Sequence, residues 1–147
     1  MLNELYSDLI LDHYKNPQNY GTILNATHYC CGHNPLCGDK IELYILVHRN
    51  YIQDIKFTGN GCAISQASAS IMTCELLGKT IKEACEIFKI FHKMLTNSEN
   101  VEHHINSINK FKIFSNIKNF PTRVKCATLA WHGLRSALNE CCNNETE

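Results

Sequence analysis

The chain has no excess of either charge: 14 Lys and Arg residues balance 14 Asp and Glu residues over 147 positions. With no surplus of cations to hold a phosphate backbone, a nucleic-acid protein driven by bulk electrostatics is excluded. No apolar run approaches the length of a membrane span. The first ten residues carry acids where a secretion signal would carry Lys or Arg, and their apolar stretch is too short for a signal core. There is no internal repeat and no second domain, so residues 1–147 are expected to form one domain, with 139–147 as a polar C-terminal tail. A domain of this length buries a core without metal or disulfide support.

What the chain does have is cysteine, nine of them, and an odd number cannot pair completely. The density is high for an intracellular domain and below that of a small disulfide scaffold. The expected compartment is the cytoplasm, where thiols stay reduced and a cysteine with a role is a metal ligand or a nucleophile.

Hydrophobic spacing places the elements. Leu2, Leu5, Tyr6, Leu9, Ile10 and His13 recur every three or four residues, predicting a helix over 2–14 that Asn16-Pro17 ends. Short strands are predicted over 27–31, 40–47 and 51–58. The last two alternate in polarity and join at Arg49-Asn50 as a hairpin. Gly59-Asn-Gly-Cys-Ala63 breaks the pattern, a helix over 64–77 follows, and Gly78 ends it. Thr80-Ile-Lys-Glu83 is a capping box opening a helix over 81–95. Residues 96–119 read as loop with a short helix at 101–109 or 110–116. Pro121 suits the first turn of a last helix carrying Ala127, Ala130, Trp131, Leu134 and Leu138. The fold class is α+β: a small three-stranded antiparallel sheet with helices packed on one face.

The cysteines sort by context. Cys74 and Cys85 fall on apolar helical stripes and read as core. Cys30 and Cys31 are adjacent on a strand, point to opposite faces and cannot readily share a metal, although Cys31, His33 and Cys37 form an alternative cluster. Cys141 and Cys142 lie in the tail. His103 and His104, adjacent in sequence, diverge on a helix and read as solvated surface.

The other three lie at breaks between elements. Cys37 stands in Asn34-Pro-Leu-Cys-Gly-Asp39, where Gly38 lets the chain turn so that Cys37 and Asp39 face one centre. Cys62 immediately precedes a helix, whose N-terminus favours the thiolate. Cys126 lies in the first turns of the last helix, behind the cations Arg123 and Lys125, which favour a thiolate nearby. Three thiolate-prone cysteines and Asp39 make a four-ligand set of the kind that takes zinc.

At these residues the chain resembles the NifU/IscU family of iron-sulfur cluster assembly scaffolds. Four ordered blocks carry the likeness: Leu5-Tyr-Ser-Asp-Leu-Ile-Leu-Asp-His-Tyr-Lys-Asn-Pro17, Asn34-Pro-Leu-Cys-Gly-Asp39, Gly59-Asn-Gly-Cys-Ala-Ile-Ser-Gln-Ala-Ser-Ala-Ser70 and Pro121-Thr-Arg-Val-Lys-Cys-Ala-Thr-Leu-Ala-Trp131. It is similar to the SufU-type branch in two respects. The interval from Cys62 to Cys126 accommodates an extra segment, and Lys125 stands where IscU-type proteins typically have His, which removes a ligand that the other branch uses.

The resemblance implies a SufE/NifU-like fold and Zn²⁺ held by Cys37, Asp39, Cys62 and Cys126. It implies a sulfur acceptor, with Cys37 receiving persulfide sulfur from a SufS-type pyridoxal-phosphate cysteine desulfurase and passing it to a downstream Fe-S assembly complex. When the partner supplies a replacement ligand such as a histidine, one cysteine is released as a thiolate. Arg123 and Lys125 are expected to contact the partner or gate Cys126. The alternative is a scaffold that assembles a transient [2Fe-2S] cluster on the same ligands.

Overall fold

The computed structural model describes residues 2–96 and 110–138. The tail 139–147, Cys141, Cys142, His103, His104 and a helix over 101–109 lie outside them. Helix α1 (Leu2–Lys15) leads to strands β1 (His28–Asn34), β2 (Asp39–His48) and β3 (Tyr51–Asn60). Helices α2 (Ala63–Leu76) and α3 (Ile81–Thr96), a 3₁₀ helix (Lys112–Asn119) and helix α4 (Pro121–Leu138) complete the described chain. The sheet is antiparallel in the order β1-β2-β3.

Along β2 the alternation does what period two requires. Asp39, Ile41, Leu43 and Ile45 are buried, while Lys40 is exposed and Glu42 and Tyr44 lie half-buried. The buried face packs on α2 and α4, as expected of an α+β domain. Beneath α4, Trp131 stacks on Phe91 at 4.4 Å between centroids, with Phe111 edge-on at 5.5 Å. Its indole N–H donates to Ser68 Oγ at 3.0 Å, and Ser68 in turn donates to the Ala127 carbonyl at 2.6 Å, tying α2 to α4. The capping box at α3 closes in both directions: Thr80 N–H donates to Glu83 Oε1 at 2.9 Å and Glu83 N–H to Thr80 Oγ1 at 3.0 Å.

Two strand boundaries differ from the sequence reading. β1 runs on to Asn34 and β2 begins at Asp39, so the expected long loop shrinks to the four-residue turn 35–38. β3 continues through Gly59, which pairs with Ile41. A Cβ there would strike the Lys40 carbonyl, so the glycine marks close strand approach rather than a strand end. In 96–119 the described helix covers the expected 110–116: residues 110–111 are α-helical and run into the 3₁₀ stretch Lys112–Asn119.

Between α1, α2 and the 3₁₀ helix lies a cleft of about 430 Å³ lined by Tyr6, Leu9, His13, Cys74, Glu75 and Lys110, among others. Cys74, expected in the core, is exposed here. α2 is buried almost all round, so a stripe of apolar residues does not single out its inward face. Among the described residues no helix is long and apolar enough to cross a membrane.

Candidate metal centre

The β1–β2 turn, the start of α2 and the start of α4 meet at one end of the sheet. Gly38, with φ +69°, makes the reversal that carries Cys37, and a Cβ at that position would meet nothing within 4 Å. Asp39 is the first residue of β2 and is 0% exposed. Its Oδ1 accepts the Cys62 N–H at 2.8 Å, which turns Oδ2 toward the Cys62 sulfur, 3.8 Å away. Gly61, φ +140°, is what allows this approach, because a Cβ there would collide with Asp39 Oδ1. Cys62 is the N-cap of α2, and its sulfur accepts the Ser65 N–H at 3.4 Å.

Cys126, 2% exposed, reaches the centre from α4 with its sulfur 3.0 Å from Cys37 Sγ. The donor atoms of Cys37, Asp39 and Cys126 all lie within 4.8 Å of one another, the one such group among the described residues, and Cys62 adjoins it through Asp39. Burial first, then hydrogen bonding with Cys37, Asp39 and Cys62 and repulsion from Cys62, pushes the Cys126 thiol far up from its ordinary value. That reverses the expectation that Arg123 and Lys125 favour its thiolate. Both cations face solvent, and the Arg123 guanidinium lies 4.8 Å from the centroid of the Phe120 ring, itself half exposed.

The donor set fits zinc. A tetrahedral site with sulfur at about 2.3 Å and oxygen at about 2.1 Å spaces its donors about 3.6–3.8 Å apart. The Cys62–Asp39 distance meets this, the Cys37–Cys126 pair needs to open by under an ångström, which the open Gly38 turn permits, and the Cys62 sulfur, outside the group within 4.8 Å, needs to close on the other sulfurs. Three soft sulfurs and one carboxylate with Zn²⁺ leave about −2 of charge. Charge of that sign at a buried site is a reason for bound metal to be needed at all, since three thiolates and a carboxylate alone would repel.

The alternative cluster of Cys31, His33 and Cys37 does not assemble. Cys31 and His33 are exposed on the face of β1 opposite Asn34, while Cys30 turns inward, 3.8 Å from where a Cβ on Gly133 would stand. Cys85 is buried as expected. Sequence reasoning missed Asn34. This side chain is 7% exposed, with Nδ2 3.5 Å from Asp39 Oδ2 and 3.7 Å from Cys126 Sγ. Its only sequence signal is an Asn opening a Pro-containing turn, which reads as turn chemistry.

The NifU-like N terminal domain family matches residues 5–127. The zinc-dependent sulfurtransferase SufU of Bacillus subtilis is 40% identical over 139 residues, covering 93% of this chain and 91% of that protein. The iron-sulfur cluster assembly scaffold protein IscU of Streptococcus pyogenes is 37% identical over 142 residues, 97% and 87% of the two chains. Among solved structures, a putative scaffold protein for the SUF system from Fervidobacterium islandicum superposes with TM-score 0.84 at 41% identity, covering 92% of this chain and 97% of that one. A NifU-like N-terminal structure from Brucella abortus gives the same TM-score at 19% identity and speaks for the fold alone.

Proposed function

Since the chain belongs to the NifU-like N-terminal domain family, we propose that it serves iron-sulfur cluster assembly as a zinc-dependent acceptor of persulfide sulfur. The observation that carries this reading is the convergence of Cys37, Asp39 and Cys126, with Cys62 alongside, from three separate elements. Zinc, when bound by these four side chains, supplies the charge that keeps the sulfurs deprotonated and quiet.

Of the three sulfurs, Cys37 is the acceptor. It alone sits on a turn with open space around its glycine, whereas Cys62 caps a helix and Cys126 is buried within one. As a thiolate it attacks the outer sulfur of a persulfide on a cysteine desulfurase. A bond forms between Cys37 Sγ and that sulfur, the bond to the desulfurase cysteine breaks, and the desulfurase sulfur leaves with the electron pair as a thiolate. No oxidant or reductant is consumed. The partner in this reading is a SufS-type pyridoxal-phosphate enzyme in the cytoplasm, and Arg123 and Lys125, both exposed on the first turns of α4 that carry Cys126, are its contact points.

The test is incubation with such a desulfurase and cysteine, followed by site-resolved mass spectrometry. One added sulfur on Cys37, lost in Cys37→Ala along with stimulation of the desulfurase, is expected. Sulfur arriving on Cys62 or Cys126, or full stimulation by Cys37→Ala, would remove Cys37 from the role. A second reading, assembly of a transient [2Fe-2S] cluster on the same side chains, is favoured by relatives named as scaffolds. Purified protein with near-stoichiometric zinc and no visible absorption supports transfer, and brown protein with iron and acid-labile sulfide supports the scaffold.

A further inference from the structure

The three sulfurs at the centre differ in what holds them. Cys62 Sγ accepts a backbone N–H from the first turn of α2. Cys126 Sγ faces the carboxamide of Asn34, whose Nδ2 is 3.7 Å away, a normal length for N–H donation to sulfur. Cys37 Sγ has, among the described residues, the Cys126 thiol at 3.0 Å and no N–H donor.

Asn34 is built to keep this arrangement. Its Oδ1 accepts the Leu36 N–H at 3.2 Å, which fixes the carboxamide so that Nδ2 points inward, where it also reaches Asp39 Oδ2 at 3.5 Å. With one oxygen anchored to the turn and one nitrogen shared by two donors of the centre, the side chain is buried and satisfied. An N–H donated to a thiolate draws density from the sulfur and lowers its nucleophilicity. Groups that bind metal ligands from behind in this way hold their orientation and tune the site.

We propose that Asn34 is a positioning residue that selects among the three sulfurs. It restrains Cys126 and Asp39 and leaves Cys37 as the sulfur free to react. The proposal rests on the reading that these four side chains share one metal, and it does not depend on the identity of the sulfur donor.

The test is limited alkylation of the zinc-loaded protein with iodoacetamide, read cysteine by cysteine by mass spectrometry, on the native chain, Asn34→Leu and Asn34→Ser. Leucine keeps the volume and removes the amide. Serine retains a short acceptor for the Leu36 N–H, as serine does in turns, so the turn survives while the donor to Cys126 is lost.

In the native protein Cys37 reacts first. In both variants the Cys126-to-Cys37 ratio rises about tenfold with Cys62 unchanged, and zinc affinity by chelator competition falls about 10- to 100-fold. A merely structural role would loosen the whole centre and raise Cys62 in step with Cys126. That outcome, or an unchanged ratio in Asn34→Ser, overturns the proposal. Selection by Asn34 in a protein that takes no sulfur from any desulfurase would sink the proposed function and leave this inference standing. Sulfur transfer to Cys37 with no change of ratio in the variants would do the reverse.

Discussion

His13 behaves as a packing residue rather than a ligand. Ser70 Oγ accepts the Gln18 N–H at 2.8 Å and lies 2.9 Å from His13 Nδ1, which ties the ring to α2. Burial lowers the His13 pKa from 6.5, Asp12 opposes that shift, and Lys110 adds to it. Glu75 and Cys74 line the same cleft, with Glu75 bound to Lys110 at 2.7 Å. Because the folded protein takes up this proton less readily than the unfolded chain, the stability it carries is full above the ordinary value. It is lost as pH falls below that value toward the lowered one. Urea midpoints are expected to drop between about pH 7.5 and about pH 5.5, and His13→Gln should flatten that dependence. Equal slopes in the two proteins would show that His13 is not its source. The residue scale also marks where sequence stops informing. Thr80 and Glu83 declare their mutual bonds three positions apart, whereas Asn34 meets a sulfur 92 positions away and its partner is invisible until the chain is folded.

At the scale of elements, α4 runs antiparallel along β1, and three contacts fix how close it lies. Asn34 meets Cys126, Gly32 lies under Leu129, and Cys30 faces Gly133. Two strand residues advance about 6.6 Å and three to four helical residues about 5 Å, so the contacts stay nearly in step along the crossing. A Cβ on Gly32 would already come within 3.1 Å of Leu129 Cδ1, so the glycine is what lets the helix settle on the strand. Gly32→Val should therefore cost about 1–3 kcal/mol by overpacking and lift the start of α4. The distinguishing result is a fall in zinc affinity, measured by chelator competition, alongside a lower melting temperature; unchanged affinity would mean that α4 is not held by this contact. The same crossing shows which parts of the fold were legible. The β2–β3 hairpin announces itself by alternation at Ile41, Leu43 and Ile45. The extensions of β1 and β3 pass through Gly32 and Gly59, residues with no side chain to carry the alternation, and their strand character depends on neighbours from other elements.

For the molecule as a whole, the proposed ligands act as a tie. Cys37 in the β1–β2 turn and Asp39 at the start of β2 belong to one hairpin, Cys62 to the cap of α2 and Cys126 to α4, so one ion would join three parts of the fold that the chain connects only through long intervening segments. The core would survive without it, since Trp131, Phe91, Phe57 and Leu43 are buried away from the centre on their own contacts. An ion that binds only the folded state stabilises it by about 4 kcal/mol when its free concentration is a thousandfold above its dissociation constant. In a domain of this size each kcal/mol is worth several degrees, so chelator treatment should lower the melting temperature by about 10 °C or more while leaving a cooperative transition. Cys62→Ser should start near the stripped value and respond little to chelator. Hydrogen exchange should quicken on stripping in the turn 35–38 and in the first turns of α2 and α4, with α3 unchanged, because no ligand comes from it. A melting temperature insensitive to chelator, with zinc shown to have left, would mean that the three elements are held by packing alone and that the metal serves chemistry without supporting the fold.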